Sequence, residues 1–278
     1  MPNPWPLEVG DMFSHCLVVV KGGGDLSSGV VVRLFRSGFP VVITELPQPM
    51  VVRRTVAFAE AVYTGETVIE GIVAKRVDRV EDIWPTLREG RIPVIIDPEA
   101  HVVQELHPTV LVDAIIAKRN TGTRLSDAPI VIALGPGFEA GVDVHAVIET
   151  NRGHNLGRVL WAGWAEPNTG IPAPVDGYTE ERVLRAPVEG VVSAAKRIGE
   201  FIQKDEVVAW VNDTPVEASI AGMLRGLIKE GIKVAKGTKL GDIDSRSQPD
   251  HCFTISDKAL AVGGGVLEAV LHLLTRRH

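Results

Sequence analysis

The chain has 278 residues, 45% of them hydrophobic, with 29 Lys and Arg against 35 Asp and Glu and a formal net charge of −6. That length supports a sizeable core and roughly two domains, and the acidic balance lacks the basic excess that nucleic-acid binding requires. With only Cys16 and Cys252, no signal-peptide pattern and no apolar run near the ~20 residues that span a bilayer, the expectation is a soluble protein of the reducing cytoplasm without membrane partners.

From Leu17 to about Gly163 short apolar runs recur: LVVV, FPVVITEL, IPVIID, TVLVDAIIA, PIVIAL, VHAVIET and GRVLWAG. Each is rich in Val and Ile and bounded by Gly, Pro, Asp or Asn, the texture of strands buried on both faces of a sheet. After the first run, Val30, Val31, Leu34 and Phe35 give Gly29 to Ser37 one apolar helical face, and Gly38 stops it. Strand, glycine turn, helix and strand in this order predict an α/β fold, with a Rossmann-like, mostly parallel sheet over residues 1–178. Between residues 51 and 90, RRTVAFAEAVY reads as helical and TVIEGIVAKRV as extended.

The turn KGGGDLSSG holds the first candidate site: Lys21, Gly22, Gly23, Gly24, Asp25 and Gly29. Glycines there allow positive φ and close backbone approach, so that N–H groups at the helix start face a phosphate. The spacing departs from the strict dinucleotide fingerprint, because Ser27 stands where the third glycine belongs. Glu45 ends the next strand, where an acid commonly accepts hydrogen bonds from a ribose. A tight turn without a ligand also fits these residues. Downstream, Lys118, Arg119 and Asn120 follow VLVDAIIA, and a parallel sheet brings that cationic turn beside the glycine turn, where it suits the phosphate of a pterin or nucleotide or is a solvated loop. Asp113, inside its strand, reads as a buried hydrogen-bonder or a site acid. Gly135 and Gly137 in LGPGFEAG form a second glycine-rich turn walling the same crevice. ETNRGHNLGR then gathers Glu149, Asn151, Arg152, His154, Asn155 and Arg158, with His154 suited to proton transfer and Arg152 and Asn155 to an anion. A hydrogen-bonded connection fits them equally well.

From about Arg182 the texture changes to an internal repeat. Gly190 and Gly222, Gly199 and Gly231, and Lys204 and Lys236 are each 32 positions apart. Two such halves resemble the barrel-sandwich of biotinyl and lipoyl domains, which predicts a small all-β domain over 179–246. In those carriers a hairpin lysine receives the cofactor. The corresponding VNDTPVEAS has no lysine, so no covalent lipoyl or biotin is expected, and a docking or ligand-covering module fits better. Residues 247–278 read as a C-terminal segment whose helix packs back on the α/β domain, with the glycines of VGGGV allowing close backbone approach. Cys252 lies four residues before Ser256, an N-cap candidate, so the helix dipole is expected to lower its pKa and make it a second catalytic candidate beside His154. A buried, inert thiol is the alternative. No paired Cys or His spacing predicts a metal site.

Taken together, KGGGDLSSGV, RLFRSGFPVVITEL, RRTVAFAEAVY, LVDAIIAKRNTGT, APIVIALGPGF, VHAVIETNRGHNLGRV, PNTGIP, ERVLRAPVEGVV, LRGLIKEG and CFTISDKALAVGGGVLEAVL resemble the YqeB-type accessory proteins of selenium-dependent molybdenum hydroxylase systems. The similarity runs from about Leu17 to Leu271. It implies a maturation role, with the hydroxylase and its other maturation proteins as partners and a molybdenum-pterin cofactor or nucleotide as ligand. An NAD(P)-dependent oxidoreductase, suggested by the glycine turn and Glu45, and a non-catalytic docking scaffold are the alternatives.

Overall fold

The computed structural model describes residues 12–168, 170 and 176–276, so the PNTGIP motif lies partly outside the described residues. The chain divides into two compact units, Met1–Pro49 with Phe58–Asn168 and Ile255–His278, and Met50–Ala57 with Thr169–Thr254. The second is wider than the 179–246 read from the repeat.

The first unit is built on a nine-stranded, mostly parallel sheet. Its strands are β1 (Val18–Lys21), β2 (Val41–Glu45), β3 (Glu66–Ile69), β4 (Ile72–Val77), β5 (Ile92–Ile96), β6 (Val110–Asp113) and β7 (Ile130–Leu134), and, after a short β8 (Glu139–Ala140), β9 (Ala146–Ile148) and β10 (Val159–Leu160). β8 pairs instead with β11 (Gly163–Trp164). The order in the sheet is β10-β9-β7-β6-β1-β2-β5-β4-β3, antiparallel only where β10 meets β9 and β3 meets β4. From β1 the chain passes to β2, then to β3 at the far edge, fills inward through β4 to β5 beside β2, and crosses to the other side of β1 with β6. The strand order therefore reverses between β1 and β6, the place where open α/β sheets leave a crevice at their carboxyl edge.

Alternate residues of the continuous apolar strands serve two cores. Val18 and Val20 face a cluster with α1 (Asp25–Arg36), while Leu17 and Val19 face a second cluster. The helical reading of RRTVAFAEAVY, residues 53–63, becomes two single 3₁₀ turns and a one-turn α2 (Ala61–Thr64). α3 (Ile83–Arg88) and α4 (Val102–Leu106) contribute Ile83, Val102 and Val103 to the second cluster, and α5 (Asp257–Thr275) contributes Ala259, Val262 and Val266 to the first. At 19 residues and a mean hydropathy of 1.4, α5 does meet the length and composition needed to cross a membrane, which corrects the sequence reading on that point. In the structure its buried face lies on α1. A Cβ added at Gly29 would sit 2.1 Å from the Ala259 carbonyl oxygen, and one at Gly263 would sit 2.3 Å from that of Gly29. Gly29 is therefore a helix-contact residue, a correction to its candidacy for ligand binding. With its apolar residues in two buried clusters, the unit has the build of a water-soluble α/β protein.

The second unit holds two four-stranded antiparallel sheets. One runs β12-β19-β17-β14, from β12 (Val183–Arg185), β14 (Phe201–Ile202), β17 (Gly222–Leu227) and β19 (Lys239–Asp244). The other runs β16-β15-β13-β18, from β13 (Gly190–Ala194), β15 (Val207–Val211), β16 (Thr214–Glu217) and β18 (Lys233–Val234). The repeat explains this: each half lends its two longest strands to one sheet and its two shorter strands to the other. The equivalent glycines share a task, since a Cβ at Gly190 would strike the Asn212 side chain and one at Gly222 the Asp244 backbone, at 2.3 and 2.5 Å.

Candidate functional site

β1 ends at Lys21, and the next three residues divide the work of the turn. Gly22 has φ +88° and gives its N–H to the Thr44 carbonyl, so only glycine adopts this conformation without strain. Gly23 lies under backbone: a Cβ there would stand 2.8 Å from the Ala59 nitrogen, and its carbonyl accepts the Ala59 N–H at 2.9 Å. Gly24 differs from both. Its φ of −65° suits any residue, nothing lies within 4 Å of an added Cβ, and as N-cap of α1 it leaves the first turn without a side-chain cap. The helix start, with its positive dipole end, thus opens onto free space at Gly24. Ser27, where the fingerprint has glycine, turns its hydroxyl back to the Gly22 carbonyl at 2.6 Å and is buried.

Glu45 ends β2 as expected, but both its oxygens are engaged. Oε2 accepts the Gly23 N–H and Oε1 the Leu46 N–H, each at 2.7 Å. Burial raises its pKa against the pull of those two bonds. Glu45 thereby braces the glycine turn, a different task from the ribose contact anticipated for it. Lys21 is also turned aside: its buried ammonium donates to Thr123 Oγ1 at 2.7 Å, and the Thr123 hydroxyl donates to Asp113 Oδ2 at 2.6 Å. Asp113 is thus a buried hydrogen-bonder, closing the gap between β1 and β6 and pinning the loop that follows.

That loop does pass beside the glycine turn, with the Ile115 Cα 3.3 Å from an added Gly22 Cβ. Asn120 shapes it, its Oδ1 accepting the Gly122 and Thr123 N–H groups at 2.8 and 2.9 Å, while Lys118 and Arg119 are exposed. Gly137 admits the Arg119 backbone, 2.5 Å from where a Cβ would be, and Gly135 admits the Thr150 hydroxyl at the same distance. These glycines let one loop pass another. In the polar loop, buried Glu149 accepts the N–H groups of Asn151 and Glu166, each at 2.7 Å, and the Asn151 and Asn155 side chains donate to Glu166, holding its carboxyl below the usual range. Arg152 makes a two-pronged bridge to Asp257 at 2.8 and 2.9 Å. His154 is exposed and makes no hydrogen bond to another described residue.

Lys258 was missed by the sequence reading. It stands in the first turn of α5, half-buried, where Asp25, Glu149, Asp257 and Arg152 all act on its ammonium. Burial first, and Arg152 second, lower its pKa. A lysine in the first turn of a helix opposes the dipole, and that was the signal available in SDKAL.

Cys252 requires a correction. It lies in the 3₁₀ turn Pro249–Cys252, fully buried in the second unit, with Sγ 3.7 Å from the Leu224 carbonyl oxygen. Burial raises its pKa, outweighing the opposite pull of Arg225 and Arg53. The surrounding charges form a network that runs from buried Asp244 and Arg53 to exposed Arg246. Asp244 takes two bonds from Arg246, at 2.9 and 2.6 Å, and these outweigh its desolvation and hold its pKa at about 2. Arg53 and Arg225 donate to the His251 carbonyl at 3.1 and 3.2 Å. Cys16 is likewise buried, with a raised pKa. Native protein at pH 8.5 should therefore resist iodoacetamide while urea-unfolded protein labels at both thiols; labelling of Cys252 at equal rates in the two states would show the thiol to be accessible. Among the described residues no three His, Cys, Asp or Glu side chains converge to hold a metal ion.

The structure defines a mixed α/β protein with a large, mostly parallel sheet, additional antiparallel sheets and a C-terminal helix. Its sequence is of the YqeB type: it is 46% identical over 260 residues, 94% of the chain, to the curated "Uncharacterized protein YqeB" of Escherichia coli (strain K12). It covers 48% of that protein, so the chain spans about half the length of the curated relative it matches. No family model matches. Among solved structures, TcdA (CsdL) aligns over 98% of this chain and 93% of its own at 11% identity and a TM-score of 0.33. A succinylglutamatedesuccinylase/aspartoacylase from Rhodobacter sphaeroides aligns over 83% and 85% at 13% identity and a TM-score of 0.27. Likeness at these scores carries no functional argument.

Proposed function

We propose that this chain is a cytoplasmic accessory factor in the maturation of a selenium-dependent molybdenum hydroxylase, holding a phosphate-bearing ligand, a molybdenum-pterin cofactor or a nucleotide, at the start of α1. In this reading the first unit is Rossmann-like, and the second is a barrel-sandwich module that docks the hydroxylase. The observation that carries the reading is the opening at Gly24. An uncapped helix start facing free space, with the Lys258 ammonium acting in the same neighbourhood as Asp25, suits an anionic group. The hydride-transfer alternative drew on Glu45, whose two oxygens are taken by backbone N–H groups, and so has less support.

The test is complementation in cells that carry the hydroxylase and lack this protein. Lys258→Ala removes one charge-assisted hydrogen bond to the ligand and should lower hydroxylase activity about tenfold or more at unchanged abundance of the variant. Full activity with Lys258→Ala and with Gly24→Val would dismiss the reading.

A further inference from the structure

On the sheet face away from α1 the first unit contains a cavity of about 540 Å³, floored by Ala100, Val103 and Leu111 of the second apolar cluster. That volume lies within the roughly 300–1,000 Å³ of small-molecule sites. Its wall is polar. Lys21 lines it, with only 9% of its side chain exposed and 3.7 Å from Asp113 Oδ2. An ammonium has three N–H donors, and the hydrogen bond to Thr123 uses one, so a buried cation with donors to spare faces this space. His101, Gln104, His107 and Arg124 rim the opening, and none of their side chains hydrogen-bonds another described residue. Two carboxylates, Glu99 and Asp127, complete the wall, and no Phe, Tyr or Trp lines it.

This composition selects a class of ligand. Four basic side chains around one space suit a dianion better than a neutral molecule, and arginine matches phosphate oxygens in two-pronged geometry. The carboxylates suit hydroxyl groups, which donate to them. Without Phe, Tyr or Trp the wall lacks the broad rings that favour a flat heterocycle. We propose that this cavity binds a small phosphorylated, hydroxyl-bearing molecule of the sugar-phosphate class, its phosphate toward Lys21, His107 and Arg124 and its hydroxyls toward Glu99 and Asp127. The site is separate from the opening at Gly24, because its floor belongs to the other core.

Titration calorimetry with ribose 5-phosphate on the full chain tests this, with ribose and inorganic phosphate as companion probes. Wild-type protein should bind ribose 5-phosphate, and Arg124→Ala and His107→Ala, both at exposed positions, should each weaken it about tenfold or more, the loss expected when a charge-assisted hydrogen bond is removed. Gly24→Val should leave this affinity unchanged, and ribose should bind at least about tenfold more weakly than its phosphate. Competition by inorganic phosphate would support the assignment. Absence of binding to wild type, equal affinity in Arg124→Ala, ribose binding as tightly as its phosphate, or loss of binding in Gly24→Val would each overturn it.

Discussion

Gly29→Ala should lower the unfolding free energy by about 3 kcal/mol or more, because the added methyl group cannot be accommodated without parting α1 from α5. Its Cβ would stand 2.1 Å from the Ala259 carbonyl oxygen and 2.9 Å from the Ala259 Cβ, both carried by a helix that is itself packed. Backbone atoms have no rotamer to change. Gly263→Ala meets the Gly29 carbonyl oxygen at 2.3 Å and should cost a similar amount. Gly264 is the control within the same helix: nothing lies within 4 Å of its added Cβ, so alanine there should stabilise by up to about 1 kcal/mol through helix propensity alone. Urea unfolding of the three variants at unchanged m-value reads these numbers directly. Three equal midpoints would refute the contact between the helices.

Gly24→Val should behave in the opposite sense, leaving the fold intact while removing ligand binding. The residue's φ of −65° and ψ of 178° lie where valine is comfortable, and the space around its Cβ is open. A phosphate at the helix start would occupy that space. Wild-type protein with a ligand at 100 times its dissociation constant gains about 2.7 kcal/mol, and a thermal-shift panel of NAD, NADP, ATP, CTP and a pterin phosphate detects a gain of this size. The gain should vanish in Gly24→Val at an unchanged ligand-free midpoint. Gly23→Ala separates the two roles within the turn: its Cβ collides with the Ala59 nitrogen, so it should damage the fold itself.

The strands of the parallel sheet were legible because strands buried on both faces are nearly continuous apolar runs: FPVVITEL, IPVIID and PIVIAL each contain one, and LVVV holds all of β1 but Lys21. TVLVDAIIA misled at its end: β6 stops at Asp113, and Ile116 then takes φ +58°, a conformation rare for a β-branched residue, which no pattern of apolar residues announces. The repeat glycines were visible at their spacing of 32, and their steric reason appeared only with the neighbours in place. Less could be read where distant segments decide a residue's role. Met50–Ala57 joins the second unit through contacts such as the Leu227 N–H to the Val52 carbonyl, a pairing across 175 positions. Glu45 and Lys21 stood where a nucleotide-binding pattern puts functional groups, yet backbone N–H groups and Thr123 claim them. Cys252 illustrates the same limit, since a dipole argument from sequence could not weigh the desolvation that dominates its environment.

The most direct measurement is mass analysis of the small molecules that accompany the protein when it is purified together with the hydroxylase proposed as its partner. The opening at Gly24 predicts a pterin phosphate or nucleotide released by wild-type protein on unfolding and missing from Gly24→Val protein of equal yield. Wild-type protein that releases neither, or a variant that releases as much of it as wild type, would contradict a ligand at the start of α1.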